Sequence, residues 1–446
     1  MASSAYSRFV WAAPTNWILV GAASSLAFML VIKGWANASL LFISLLCLWQ
    51  IISTPERYVV GRNFKVWVAC CVFTLPLFSE ISVQLLRGEM EVSLFDGPAR
   101  LLLAIPIFLY FGRNGCDRVV TALGLGAALG IFFVLLSLIL FDSQYWGSRA
   151  ATYFVDPITL PCYTVALCGV FLVVGIPYAN RPINLLLKAL AIISTTYIAL
   201  ESESRSSWVA LSMLLFFYSW ITQTSFLRKF FVSFLVVFCF LATLYSLSDT
   251  FRTRGSLAIS SLLTYASENK KLEPNHTSAD YDVVRDTSTG HRLMLLQLDW
   301  YLLNRNPILG VGDSEMPSFE ELVSVYPRLT KEILYIKAHA GSHSEFTNHL
   351  VTKGLIFGSI VLWTLFIYPA WLARSYFRAL DTQSRSNALG LLGFGLPIFF
   401  SATTIQVLNL KMTMSIYGLI LSVFLANLIF HLEGNKDAQE TSEHVG

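Results

Sequence analysis

The chain has 446 residues, 55% of them hydrophobic and only 13% charged, with a formal net charge of +3. A mean hydropathy of +0.60 excludes a soluble globular protein and implies a polytopic membrane protein. The apolar runs show no period-2 alternation, which excludes a membrane β-barrel and leaves an all-α fold.

In chain order, about twelve spans are predicted, at 16–34, 36–53, 66–86, 98–112, 119–141, 158–177, 189–200, 208–222, 231–247, 345–371, 387–407 and 413–432. The opening stretch "MASSAYSRFVWAAPTNW" lacks a small-residue cleavage site after a short apolar core, so the first span is expected to be retained. The seven cysteines lie in or beside apolar runs, and none falls in the long polar loop, so no disulfide framework is implied. "GAALG" at 126–130 is a small-residue pattern expected to let helices pack closely.

One set of connections carries Arg57, Arg62 and Lys65, then Arg113 and Arg118, then Arg181 and Lys188, then Arg228 and Lys229, then Arg374, Arg378 and Arg385. The positive-inside rule makes this face, and both termini, cytoplasmic. The expected organisation is spans one to nine over 1–247, a large outer loop over 248–343, spans ten to twelve over 344–432, and a polar tail over 433–446. Within the loop, "NKKLEPNHTSADYDVVRDTSTGHR" reads as polar and loop-like, and Asn275 opens a glycosylation sequon. The stretch that follows has apolar residues at 293, 296, 300 and 303 and stops at Pro307. It reads as an amphipathic helix over 292–305 lying on the membrane surface. Acidic and basic residues nearly balance in this loop, which argues against nucleic acid as a partner. No glycine loop ending in Lys-Ser/Thr is present to bind ATP.

Outward-facing segments normally avoid arginine, yet Arg149, Arg205 and Arg292 all fall at span ends on the loop side. Each alone reads equally well as a snorkelling anchor. Three on one face point to a site for an anionic group, because the guanidinium fork matches phosphate oxygens and stays charged. His343 directly follows the loop, and its plain reading is a polar residue near a helix start. His339, four residues earlier, has a spacing that could pair two metal ligands, but the intervening glycine and serine and the missing glutamate disfavour a metal. His349 is expected to pack inside the bundle. Glu345 follows His343 by two residues and could orient it.

"SRSSW", "GHRLMLLQLDWYLLNRNPILGVG" and "HSEFTNHLVTKGLIFG", in that order over about 205–358, together resemble the O-antigen ligase and polymerase superfamily. His343, Ser344 and Gly354 are similar to the ligase signature, and Arg292 with Leu296 to the ligases' Arg-x-x-x-Leu. The resemblance implies a bacterial inner-membrane glycosyltransferase with its active site facing the periplasm. It would move polysaccharide from undecaprenyl diphosphate to lipid A–core oligosaccharide, with inversion and with no cofactor, ATP or metal. In that reading His343 is the general base and Arg205, Arg292 and Arg149 hold the diphosphate, with Ser344, Glu345, His339 and Gly354 in support. The alternatives are a polymerase joining lipid-linked repeat units and, outside the family, a twelve-span secondary transporter.

Overall fold

The computed structural model describes residues 14–58, 64–141, 149–176, 179–269, 288–312, 317–325, 331–377, 382–408 and 411–443. Among these residues every regular element is a helix, as expected for an all-α chain. The first half contains α1 (Pro14–Phe28), α2 (Trp35–Ser53), α3 (Phe64–Arg87), α4 (Val92–Asn114, entered through 3-10 turns), α5 (Asp117–Leu140), α6 (Thr159–Val174), α7 (Arg181–Glu201), α8 (Arg205–Thr222) and α9 (Phe226–Leu247). The loop region holds α10 (Asp249–Asn269), α11 (Ser288–Arg305), α12 (Phe319–Val325) and α13 (Lys331–Ala340). The chain then forms α14 (Glu345–Leu362), α15 (Tyr368–Phe377), α16 (Thr382–Ala402) and α17 (Lys411–Glu443).

Eight of these stretches are long and apolar enough to cross a membrane: α2, α3, α4, α5, α7, α9, the α14–α15 run Glu345–Tyr376, and Lys411–Phe430 of α17. The other four predicted spans fall on α1, α6, α8 and α16, of which α1 and α6 are apolar but shorter. The predicted polar tail begins inside α17, whose helix continues to Glu443. Asn275 and most of the polar stretch around it lie outside the described residues.

The bundle is organised around α17. Its apolar window is 94% buried, against 11% for α9, so α17 is a central post and α9 a peripheral helix with an apolar surface. Helix α17 packs on α4, α2 and α16, and α5 packs on α1. The "GAALG" reading holds for that last pair, since a Cβ at Gly126 or Gly130 would run into the backbone carbonyl of Ala23 or Leu26.

Two features place the site. Helix α14 breaks at Gly354, whose φ of +72° is in the left-handed region that glycine tolerates. Residues 307–311 dock into the break. Leu355 N donates to Pro307 O at 2.7 Å, and Val311 N donates to Val351 O at 2.7 Å. A side chain at Gly354 would collide with the Ile308 carbonyl oxygen. Arg87, at the end of α3, donates to the carbonyls of Leu309 and Thr352 and so ties the inserted segment to the broken helix.

The second feature is α11, which starts at Ser288 and buries Met294, Leu295, Leu298 and Leu302 against Leu322, Ile333 and Val351. The stripe predicted at 293, 296, 300 and 303 therefore divides. Leu303 joins the buried side, while Leu296 and Trp300 are 51% and 64% exposed.

Candidate active site

His343 does not sit on a helix. Helix α14 starts at Glu345, and His343 occupies the preceding turn with φ of +51°, a left-handed conformation that side chains rarely adopt. Only Glu203 shares this conformation among the described non-glycine residues. Hydrogen bonds on both sides hold the turn. On one side, Ser342 Oγ donates to Asp299 Oδ1 of α11 at 3.0 Å, and Lys337 Nζ of α13 donates to the same oxygen at 2.5 Å and also to Ser342 Oγ. On the other, Ser344 Oγ donates to Ala402 O at 3.3 Å and Glu345 N donates to Ile405 O at 3.2 Å.

The expectation that Glu345 orients His343 is corrected. Because the helix begins after His343, the two residues do not share a helical face. Glu345 turns instead toward the end of α16, where its Oε2 accepts from Leu408 N at 3.0 Å, and its Oε1 lies 2.9 Å from His349 Nε2. The carboxylate beside His343 is Asp299, whose Oδ2 is buried with no hydrogen-bond partner. The side chain of His339 lies outside the described residues.

Burial lowers the His343 pKa from its ordinary value, and the charges of Arg292 and His291 lower it further, partly opposed by Asp299. The imidazole is therefore neutral at neutral pH, the form that can take a proton.

The predicted arginines converge. Arg205 Nη1 donates to Thr289 Oγ1 of α11 at 2.6 Å, one turn before Arg292. Arg149 Nε donates to Ser202 O at 2.9 Å, and Ala150 N donates to Glu201 O at 3.0 Å, which pins the 149–150 segment to the turn between α7 and α8. That same turn carries Glu203, which pairs with Arg254 of α10. Arg149, Arg205 and Arg292 are all pulled below the ordinary guanidinium pKa, first by burial and then by one another or by Arg254. Four arginines thus face two nearby carboxylates, Glu203 and Asp156. Such a cluster is relieved by a multivalent anion. The sequence reading missed Arg254 and His291. Arg254 sits one turn into a helix within what reads as loop, and His291 directly precedes Arg292.

Residues 189–362 match the family model described as O-antigen ligase. Over those residues the chain is similar to the O-antigen ligases. The matched stretch runs from within α7 to the end of α14 and contains Arg205, Arg254, Arg292, His343 and Gly354, while Arg149 lies before it. No curated protein matches the chain. The similarity covers about two-fifths of the chain, and the several apolar helices long enough to cross a membrane make it a multi-pass membrane protein.

Proposed function

We propose that this protein is an O-antigen ligase of the bacterial inner membrane, with the His343 turn and the arginine cluster facing the periplasm. The donor is polysaccharide on undecaprenyl diphosphate and the acceptor is lipid A–core oligosaccharide. The observation that carries this reading is a half-buried histidine, its pKa lowered, beside a four-arginine cluster in a chain similar over 189–362 to O-antigen ligases.

The chemistry follows from those two halves. An acceptor hydroxyl attacks the anomeric carbon and gives its proton to the free imidazole nitrogen of His343. The new carbon–oxygen bond forms as the bond to the diphosphate oxygen breaks, and that oxygen leaves with the electron pair. Arg205, Arg292 and Arg149 stabilise the added negative charge, and Arg254 keeps Glu203 from neutralising them. The diphosphate stays on its lipid, and His343 returns its proton to water. Attack opposite the leaving group inverts the anomeric centre, and neither a metal nor ATP takes part.

The test is transfer in vesicles supplied with lipid-diphosphate-linked polymer and lipid A–core. His343→Ala inserts normally and loses transfer by at least about 100-fold, the usual worth of a general base. Near-wild-type transfer by that variant removes the histidine from the mechanism. In a deletion strain, ligated polymer disappears while lipid-linked polymer accumulates; a core carrying a single repeat unit would instead assign a polymerase.

A further inference from the structure

A cavity of about 830 Å³ opens on the far side of the His343 turn, within the size range of small-ligand sites. Its walls are α3, the start of α4, Lys337, Ala338 and Gly341, α14 and the start of α17. Arg149, Arg205, Arg254 and Arg292 are not among its described lining residues, so it is separate from the arginine cluster.

Its chemistry also differs. The cations that line it are already committed to groups of the protein: Lys353 to Glu80 at 2.5 Å, Lys411 to Asp96 at 2.5 Å, Lys337 to Asp299 at 2.5 Å, and Arg87 to the two carbonyls at the α14 break. The lining adds the carboxylate of Glu91 and the amides of Asn348 and Gln406. It also holds His349, whose two ring nitrogens are buried without a hydrogen-bond partner. Glu345 Oε1 lies 2.9 Å from the His349 Nε2 without making a hydrogen bond. A phosphate would meet carboxylates here and find its countercharges taken. A saccharide fits better, because each hydroxyl both donates and accepts, and the walls offer both kinds of partner.

We infer that this cavity binds the saccharide of the acceptor substrate, an assignment that rests on the transferase reading above. The diphosphate belongs with the arginines, and displacement with inversion brings the nucleophile from the opposite face of the sugar. Lys337, which lines the cavity, pairs with Asp299, and Asp299 accepts from Ser342, the residue before His343. Gly341 and Glu345, on either side of His343, also line the cavity, so a glycan seated there lies against the turn that carries the base.

Gly97 supplies the probe. It lines the cavity, and a Cβ built there meets nothing within 4 Å. Gly97→Trp therefore adds an indole at a cavity-lining position whose Cβ has room, with Gly97→Ala as its control and thermal unfolding of both as the check on the fold. Full-length protein in nanodiscs is titrated with fluorescently labelled lipid A–core lacking polymer, and transfer kinetics are measured in parallel. Gly97→Trp raises the acceptor KM and weakens acceptor binding by about tenfold or more with the donor KM unchanged. The exposed Glu91→Gln shifts both acceptor quantities in the same direction, and Gly97→Ala behaves like wild type. Unchanged acceptor KM and binding in both Gly97→Trp and Glu91→Gln overturn the assignment, as does a rise in the donor KM instead. The binding arm uses no donor, so His343→Ala retains acceptor binding even as it loses transfer. Transfer by His343→Ala would sink the transferase mechanism and leave the binding result standing.

Discussion

At the scale of the residue, His343 combines backbone strain with a depressed pKa. A left-handed conformation costs a side-chain-bearing residue about 1–2 kcal/mol, and the hydrogen bonds through Ser342, Ser344 and Glu345 offset that cost. The pKa sets the sign of a pH profile. The base must be unprotonated, so kcat/KM falls as the pH drops through the pKa of His343 in the free enzyme. Burial and Arg292 lower that pKa, so the acid limb lies below the ordinary histidine value of 6.5. A profile whose acid limb falls at or above that value would contradict the environment described for His343. The position of His343, after the loop and before an apolar run, was legible, and its role as base came only from the resemblance. Its conformation was not legible, because a left-handed turn one residue before a helix is set by contacts with 299, 402 and 405, distant in sequence. For the same reason Glu345 was misread, since it follows His343 by two residues yet turns its carboxylate toward Leu408.

At the scale of the element, the decisive feature is the break in α14. Gly354→Ala forces a Cβ into the Ile308 carbonyl and a non-glycine residue into positive φ. It should destabilise the protein by about 2–3 kcal/mol and cut transfer by displacing the 307–311 segment, measured by thermal unfolding in detergent and by ligation. Wild-type stability in that variant would mean the break is not required. The sequence marks this glycine only by its place in the family signature; its physical reason, a second chain segment entering the helix, is visible only in three dimensions. The ion pair under the His343 turn is a second case. Asp299 and Lys337 are 2% and 7% exposed, so Asp299→Ala leaves a buried ammonium unpaired and costs about 3–5 kcal/mol. The double variant Asp299→Leu with Lys337→Leu recovers most of that stability but not full transfer, because the contact with Ser342 is also gone. If the double variant unfolds as early as the single one, the pair is not what the penalty comes from. In the sequence Asp299 looked like an interruption of an apolar stripe, since its partner lies 38 residues away.

At the scale of the molecule, the helices were the most legible part, because a length of apolar chain is a local property. Each predicted segment falls on a helix, eight of the stretches being long and apolar enough to cross a membrane. How those helices divide between interior and periphery was not legible, since α9 and α17 are both apolar yet occupy opposite environments. The exposed Phe234 and Phe238 of α9, 60% and 61% accessible, are expected to face acyl chains. Tryptophan placed at either position should be strongly quenched by brominated lipid, and absence of quenching would mean that protein covers this helix. The buried position of α17 also bears on the order in which the molecule comes together. The helices described before it leave the ribosome first, so during synthesis the bundle lacks the post on which α2, α4 and α16 close. The turn at 402–408, which grips Ser344 and Glu345, is the segment leading directly into that post. The nascent protein therefore passes through a long interval in the membrane with all its arginines and His343 made but not yet assembled into a working centre.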